Sequence, residues 1–285
     1  MAYAGNAGET ARNLKRPDEM ATIRTVLHGG LGNQLFQYFA AELECHGAES
    51  CQLHLYDNLL AQYASARTLE LNPLLGRREA STPVIVGPSD ALARLRLPKL
   101  WWKLSRRESV WRIPGYGVLV DGYFQDPRDL TRYPAAARAD TLHRWRSALV
   151  AEQLLPPRMR QRVTHIRLGD FFHSTTEARK AAAIRLSRLQ QATDLITDQE
   201  RLVEEVLQDL QLPVATHLVP TASMSAWDLF RHFSSYEHID TNGSSLAFWA
   251  ATLANAKFNS TNPHHVEACR ILQQSTTPPP PLSAR

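Results

Sequence analysis

The chain has 285 residues, 44% of them hydrophobic and 21% charged, with a formal net charge of +4. It is long enough to bury one large or two modest domains and too apolar to be disordered. A sequence pI near 9.1 suits an anionic ligand such as a nucleotide, but the charge is too weak and scattered to indicate nucleic acid.

No apolar run approaches the length that spans a bilayer, and Met1 to Met20 lacks the apolar core of a signal peptide, so a cytoplasmic protein is expected. Cys45, Cys51 and Cys269 show no CxxC spacing, which favours a reducing compartment without a disulfide framework or a cysteine zinc site.

Residues 1–20 read as a loose leader. Thr22 to Leu27 is the first predicted strand, running into His28-Gly29-Gly30-Leu31-Gly32-Asn33-Gln34. A helix should follow, because Leu35, Phe36, Phe39, Ala40 and Leu43 fall on one stripe at helical spacing. Strand, glycine loop and helix together can bind an anion, since backbone N–H groups point outward and glycine lets a ligand approach them. The dinucleotide fingerprint is incomplete, with Leu35 in the place of its third glycine. A purely local reading is a tight turn closed by Asn33 as a helix cap.

Cys51 to Leu55 and Pro83 to Val86 read as further strands, separated by an irregular segment that includes Leu71-Asn72-Pro73. From Arg94 to Trp111, basic residues interleave with Trp101, Trp102 and Trp111. A solvated basic helix with buried tryptophans is the commoner explanation, and an interfacial helix making peripheral contact with an anionic membrane is the alternative. Val118 to Val120 is a strand ending in Asp121-Gly122-Tyr123-Phe124-Gln125, which could hold a sugar acceptor by stacking and hydrogen bonds or simply pack in the core. The Leu155-Pro156-Pro157 breaker places a domain boundary near residue 155, between an N-terminal domain (21–155) and a C-terminal one (156–274).

Val163 to Arg167 is the next strand and ends in His165-Ile166-Arg167-Leu168-Gly169-Asp170. His165 and Arg167 project to one face and Ile166 to the other. Arginine at the carboxyl end of a strand lies where open α/β sheets bind ligands, and its planar fork suits phosphate. Beyond it, helices near 177–191 and 199–210 alternate with strands at 194–197 and 214–219, the pattern of a parallel, doubly wound sheet. Asp198 could accept from ribose or a guanine edge, or cap a helix. Ser225 to Tyr236 reads as helical. After it, Asp240-Thr241-Asn242-Gly243-Ser244-Ser245 opens an apolar helix, where hydroxyls and N–H groups form a second phosphate cradle. Asn262-Pro263 begins the last helix, and Ser275 to Arg285 reads as a disordered, proline-rich tail.

In order, these pieces resemble a known family. His28-Gly29-Gly30-Leu31-Gly32-Asn33-Gln34-Leu35-Phe36-Gln37-Tyr38 resembles the GGLGNQMFQYA signature of the α-1,2-fucosyltransferases, glycosyltransferase family 11. Gly122-Tyr123-Phe124-Gln125 is similar to their GYFQ segment, and His165 to Phe171 to their HIRRGDY motif. Ile196-Thr197-Asp198-Gln199 falls where they have FSDD, and Asp228-Leu229 through Ala251 resembles their DL…ANSSFSWWGAW block. Leu168 stands in place of the second arginine, Gln199 in place of an acid, and Gly243 where the family has Asn.

The resemblance implies a GT-B-like fold of two Rossmann-like domains facing a cleft, with GDP-fucose as donor, inversion at the anomeric carbon and no metal. The chain contains no Asp-x-Asp pair to hold a divalent ion on a diphosphate. By the same likeness Arg167 contacts the diphosphate, while His165, Asp170, Asp198, Ser244 and Ser245 help hold the nucleotide. Gly30, Gly32 and Asn33 close the cleft, and Asp121, Tyr123 and Gln125 face a glycan acceptor. The catalytic base stays open among Asp170, Asp121 and His28.

Overall fold

A computed structural model describes residues 20–48, 50–60, 67–76, 83–95, 110–169, 172–210, 212 and 215–276. Among these residues the protein is α/β, with two five-stranded sheets. The first contains β1 (Ala21–Val26), β2 (Cys51–Tyr56), β3 (Val84–Gly87), β4 (Val110–Ile113) and β5 (Gly117–Val120), in the order β3-β2-β1-β5-β4. Its strands are parallel except β4, which pairs antiparallel with β5 at the edge. The second is wholly parallel: β6 (Arg160–Ile166), β7 (Thr193–Thr197), β8 (Thr216–Leu218), β9 (Tyr236–Thr241) and β10 (Lys257–Ser260), in the order β10-β9-β6-β7-β8.

The helices are α1 (Leu31–Cys45), α2 (Asn72–Leu75), α3 (Ala91–Arg94), α4 (Pro127–Thr131), α5 (Ala135–Ala151), α6 (Thr175–Leu186), α7 (Glu200–Asp209), α8 (Ala226–Ser234), α9 (Ser245–Ala254) and α10 (Pro263–Thr276).

In both sheets the strand order reverses beside the first strand. The chain moves outward from β1 through β2 to β3 before β5 takes the other flank of β1, and from β6 through β7 to β8 before β9 takes the other flank of β6. Such reversals open a crevice at the carboxyl ends of the strands, where α/β proteins bind ligands. The loops after β1 and β5 border the first crevice, and those after β6 and β9 border the second.

Helix α1 joins the two halves. It is buried on almost every side, as a helix must be when its sequence is apolar around most of its circumference. Its Phe36 meets Phe248 and Trp249 of α9 with ring centroids 4.6 and 4.9 Å apart, and Trp145 of α5 stacks on Tyr38 at 5.5 Å. One hydrophobic core therefore runs through both halves, and a smaller one lies beneath α6 and α7. Burying each such side chain contributes roughly 1.5–3 kcal/mol, which makes this aromatic seam the main tie between the sheets.

The strands predicted at 22–27, 51–55, 83–86, 118–120, 163–167, 194–197 and 214–219 correspond to β1, β2, β3, β5, β6, β7 and β8. Three strands escape prediction. The helix expected to reach Tyr236 stops at Ser234, and Tyr236 instead begins β9. β9 is rich in polar residues, and its place between β6 and β10 decides its conformation. β10 is short and polar for the same reason. Trp111 lies on β4, not on a basic helix, and residues 96–109 of that expected helix lie outside the described residues.

Cysteine pairing also departs from expectation. Cys45 at the end of α1 and Cys51 at the start of β2 form a disulfide, their Cα atoms 5.7 Å apart. The fold sets this pair by turning the chain back within five residues, so the cysteine case for a reducing compartment falls away. Cys269 is buried, and burial pushes its thiol up to about 12. Among the described residues no helix is long and apolar enough to cross a membrane. Ser275 and Thr276, expected in the tail, complete α10, and Ser275 accepts a hydrogen bond from Arg138. Residues 1–19 and 277–285, expected as leader and tail, lie outside the described residues.

Candidate functional site

The carboxyl edge of the second sheet is built by side chains that grip backbone. The side chain of Asn242, just past β9, accepts from Arg167 N–H at 2.8 Å and donates to Arg167 C=O at 2.6 Å. Beside it, the two Asp198 carboxylate oxygens accept from the N–H groups of Leu168 (2.8 Å) and Gly169 (3.0 Å). A Cβ on Gly169 would stand 3.0 Å from Asp198 Oδ2, so glycine gives the carboxylate its close approach. Four hydrogen bonds from two neighbouring strands thus fix the backbone that carries Arg167, whose side chain is half-buried.

Asp198 thus shapes the loop and does not cap α7, which has no side-chain cap. His165 lies beneath the loop, not on its open face. It is buried, its ring is 5.1 Å from Phe233, and its Nδ1 has no hydrogen-bond partner. Burial and then the Arg167 charge push its pKa down to about 3, so it is neutral at physiological pH. Leu168 turns into the smaller core, so the position where the family has a second arginine points away from Arg167 here. Asp170 lies outside the described residues.

Across the crevice, Ser244 caps α9 by accepting from Ala247 N–H at 3.3 Å. Ser244 and Ser245 are both buried, and a Cβ on Gly32 would lie 2.5 Å from Ser245 Oγ and 2.4 Å from Leu246 N. The start of α9 is therefore closed under the first turn of α1, and Gly32 is required because the two helices touch there. The partly exposed part of this turn is Asn242–Gly243, and Gly243 holds a φ of +107° that favours glycine.

The first half reaches the same junction through its glycine loop. Gly30 is the N-cap residue of α1, and open space lies where its Cβ would be. Asn33 is not the expected cap: it sits inside the first turn, with its Oδ1 accepting from Gln125 Nε2 at 2.9 Å. Burial raises the pKa of the nearby Glu70 carboxyl, with Leu31 N–H and the Arg67 charge opposing the rise.

Two buried glutamines hold the loop. Gln37 accepts from His28 N–H and donates to His28 C=O (3.0 and 3.2 Å). Gln34, 0% exposed, donates to Gly29 and Thr68 C=O and accepts from Glu70 N–H (3.1, 2.9 and 3.0 Å). From the second half, Trp227 Nε1 donates to Glu70 C=O at 2.5 Å. The strap around residues 67–71 is consequently pinned to both halves.

Of the residues assigned to the acceptor side, Asp121 is buried, 4.0 Å from His28 Nε2, and Tyr123 covers His28 edge-on at 4.4 Å. Phe124 has a φ of 54°, a conformation that costs a bulky side chain about 1–3 kcal/mol. It sets Gln125 between Asn33 and His265 Nε2, the latter 3.2 Å away. With Gln125 Nε2 committed to Asn33, its oxygen must accept, so His265 carries its proton on Nε2.

The loop after β6, the turn after β9 and the start of α1 therefore meet at one place, with Gln125 bridging from the loop after β5. Sequence reasoning missed Asn242, Gln34 and Gln37, because polar residues that bind backbone carry no periodic signal. Among the described residues no three His, Cys, Asp or Glu side chains group as a metal site would require. The arrangement offers an arginine on rigid backbone at one junction, which fits an anionic group. No protein-family model matches the chain, and no curated protein matches it.

Proposed function

We propose that the protein is a GT-B-like, inverting glycosyltransferase. On this reading it moves fucose from GDP-fucose to a hydroxyl of a glycan acceptor, through an α-1,2 linkage, in cytoplasmic polysaccharide or lipid-linked glycan synthesis. The observation that carries the proposal is the double clamp around Arg167: Asn242 holds its backbone, and Asp198 holds the next two N–H groups, at the reversal point of a parallel sheet. A guanidinium held in advance can stabilise the charge that grows on a departing diphosphate without reorganising at the moment of reaction. The likeness of the motifs at 28–38, 122–125 and 165–171 to the fucosyltransferase family supplies the donor and the linkage.

In this reading the diphosphate faces Arg167 and the Asn242–Gly243 turn, and the acceptor enters between Gly30 and Tyr123. No metal is needed, because arginine and backbone N–H groups take its place. The test is release of GDP from GDP-fucose in chelator-containing buffer, against ADP- and UDP-sugars as alternative donors. Turnover of GDP-fucose alone supports the proposal. Turnover of another donor keeps the GT-B reading and replaces the substrate, and binding without turnover of any donor makes the protein a nucleotide-binding relative.

A further inference from the structure

We propose that Asp198 is a positioning residue that orders the loop carrying Arg167 and does not hold the nucleoside, an assignment that rests on the nucleotide-binding reading above. It follows from where the two carboxylate oxygens go. They accept from Leu168 N–H at 2.8 Å and Gly169 N–H at 3.0 Å, the two peptide groups that follow Arg167. Asn242 takes Arg167 N–H at 2.8 Å. Three successive N–H groups are thus bound by side chains that lie just past β7 and β9. Glycine loops cradle phosphate with such groups. Here they are engaged within the chain, so anion recognition at this loop falls to the Arg167 guanidinium.

Asp198 is itself held. On one side of it, Gln199 N–H donates to Thr197 Oγ1 at 3.1 Å, and on the other, Thr197 C=O accepts from Thr221 Oγ1 at 3.1 Å. Glu200 then accepts from the N–H groups of Thr221 and Ala222 at 2.6 and 3.0 Å. The loops after β6, β7 and β8 form one hydrogen-bonded unit, and Asp198 is its link to Arg167.

By charge alone, a carboxylate this close to an anion site weakens anion binding. Ordering the backbone offsets that repulsion, because a guanidinium fixed in advance loses less freedom when the diphosphate arrives. Gly169 serves the same contact. Its φ is not positive, so no turn requires glycine there, yet a Cβ would stand 3.0 Å from Asp198 Oδ2. Glycine at this position makes room for the carboxylate.

The experiment measures binding of GDP and of inorganic pyrophosphate by calorimetry, in chelator-containing buffer and well below each melting temperature. It compares wild type, Asp198→Asn, Asp198→Ala, Gly169→Ala and the Gly169→Ala, Asp198→Ala double variant. Asparagine keeps the shape, removes the charge and turns one acceptor into a donor that faces an N–H group. Asp198→Asn should weaken both ligands about tenfold and to the same extent, although it removes a repelling charge. Gly169→Ala should weaken both about threefold or more on its own and have almost no effect in the Asp198→Ala background, because the two residues act through one contact.

Weaker GDP binding with pyrophosphate unchanged would place Asp198 against the nucleoside and overturn the assignment. Tighter pyrophosphate binding by Asp198→Asn would reduce its role to charge, and additive effects of the two alanine substitutions would separate it from the loop. A lower melting temperature with unchanged affinities would make it a purely structural residue. A wild type that binds neither ligand removes the nucleotide reading itself, and the positioning role with it.

Discussion

At the scale of single residues, charge and hydrogen bonding divide the labour around Arg167. Arg167→Ala should abolish turnover and weaken GDP binding while leaving the melting temperature within a few degrees. Arg167→Lys should rescue poorly, because a point charge cannot reproduce the fork. A lysine variant with near-normal turnover would sink the diphosphate role. Asn242→Ala touches no ligand directly in this account, yet it frees both backbone groups of Arg167. It should cost about 1–3 kcal/mol of stability, read by denaturant unfolding, and weaken GDP binding as well. Unchanged GDP affinity in a folded Asn242→Ala protein would mean that the clamp serves the fold alone. The position of Arg167 just past the end of β6 was legible in the sequence, because β-branched residues there run into a glycine that turns the chain. Asn242 and Gln34 were not, because what they bind is backbone brought from 75 residues and from 34 and 36 residues away.

At the scale of elements, the glycine loop is less a phosphate cradle than a contact. Gly32 allows α1 to meet the first turn of α9, and any Cβ there would overlap Leu246 N and Ser245. Gly32→Ala should therefore force the two halves apart, lowering stability by several kcal/mol and removing activity with it. Gly30→Ala meets open space and should leave stability almost unchanged, so comparing the two by thermal melting separates packing from backbone approach. The motif was visible from its glycines, but the reason for each was not, since spacing cannot say which one faces another helix. The parallel strands of the second half were readable where apolar runs alternate with helices. β9 failed that test because its residues are mostly polar and its neighbours, distant in sequence, supply the pairing.

For the whole molecule, one core crosses both sheets, so the two halves are expected to unfold together. Two histidines in that fabric make it sensitive to acid. Burial, with help from Arg167 and His264 respectively, holds His165 down to about 3 and His265 to about 4 in the folded state. The unfolded chain binds those protons near pH 6.5, so it takes up more protons than the folded one below that value. Stability should be fully present above about pH 6.5 and fall as pH drops towards 4, by up to about 1.4 kcal/mol per pH unit for each histidine. His265→Gln should flatten part of that slope in urea melts, and an unchanged slope would contradict the assignment. Two α/β halves were legible from strand and helix alternation, whereas the disulfide and the aromatic seam depend on how the chain turns back on itself.

The most direct test of the central claim is calorimetric titration of the protein with GDP, ADP and UDP in buffer containing a metal chelator. The account predicts binding of GDP in preference to the other two without metal, and its loss in Arg167→Ala. Equal or stronger binding of UDP or ADP, or GDP binding that survives removal of the arginine, would contradict it.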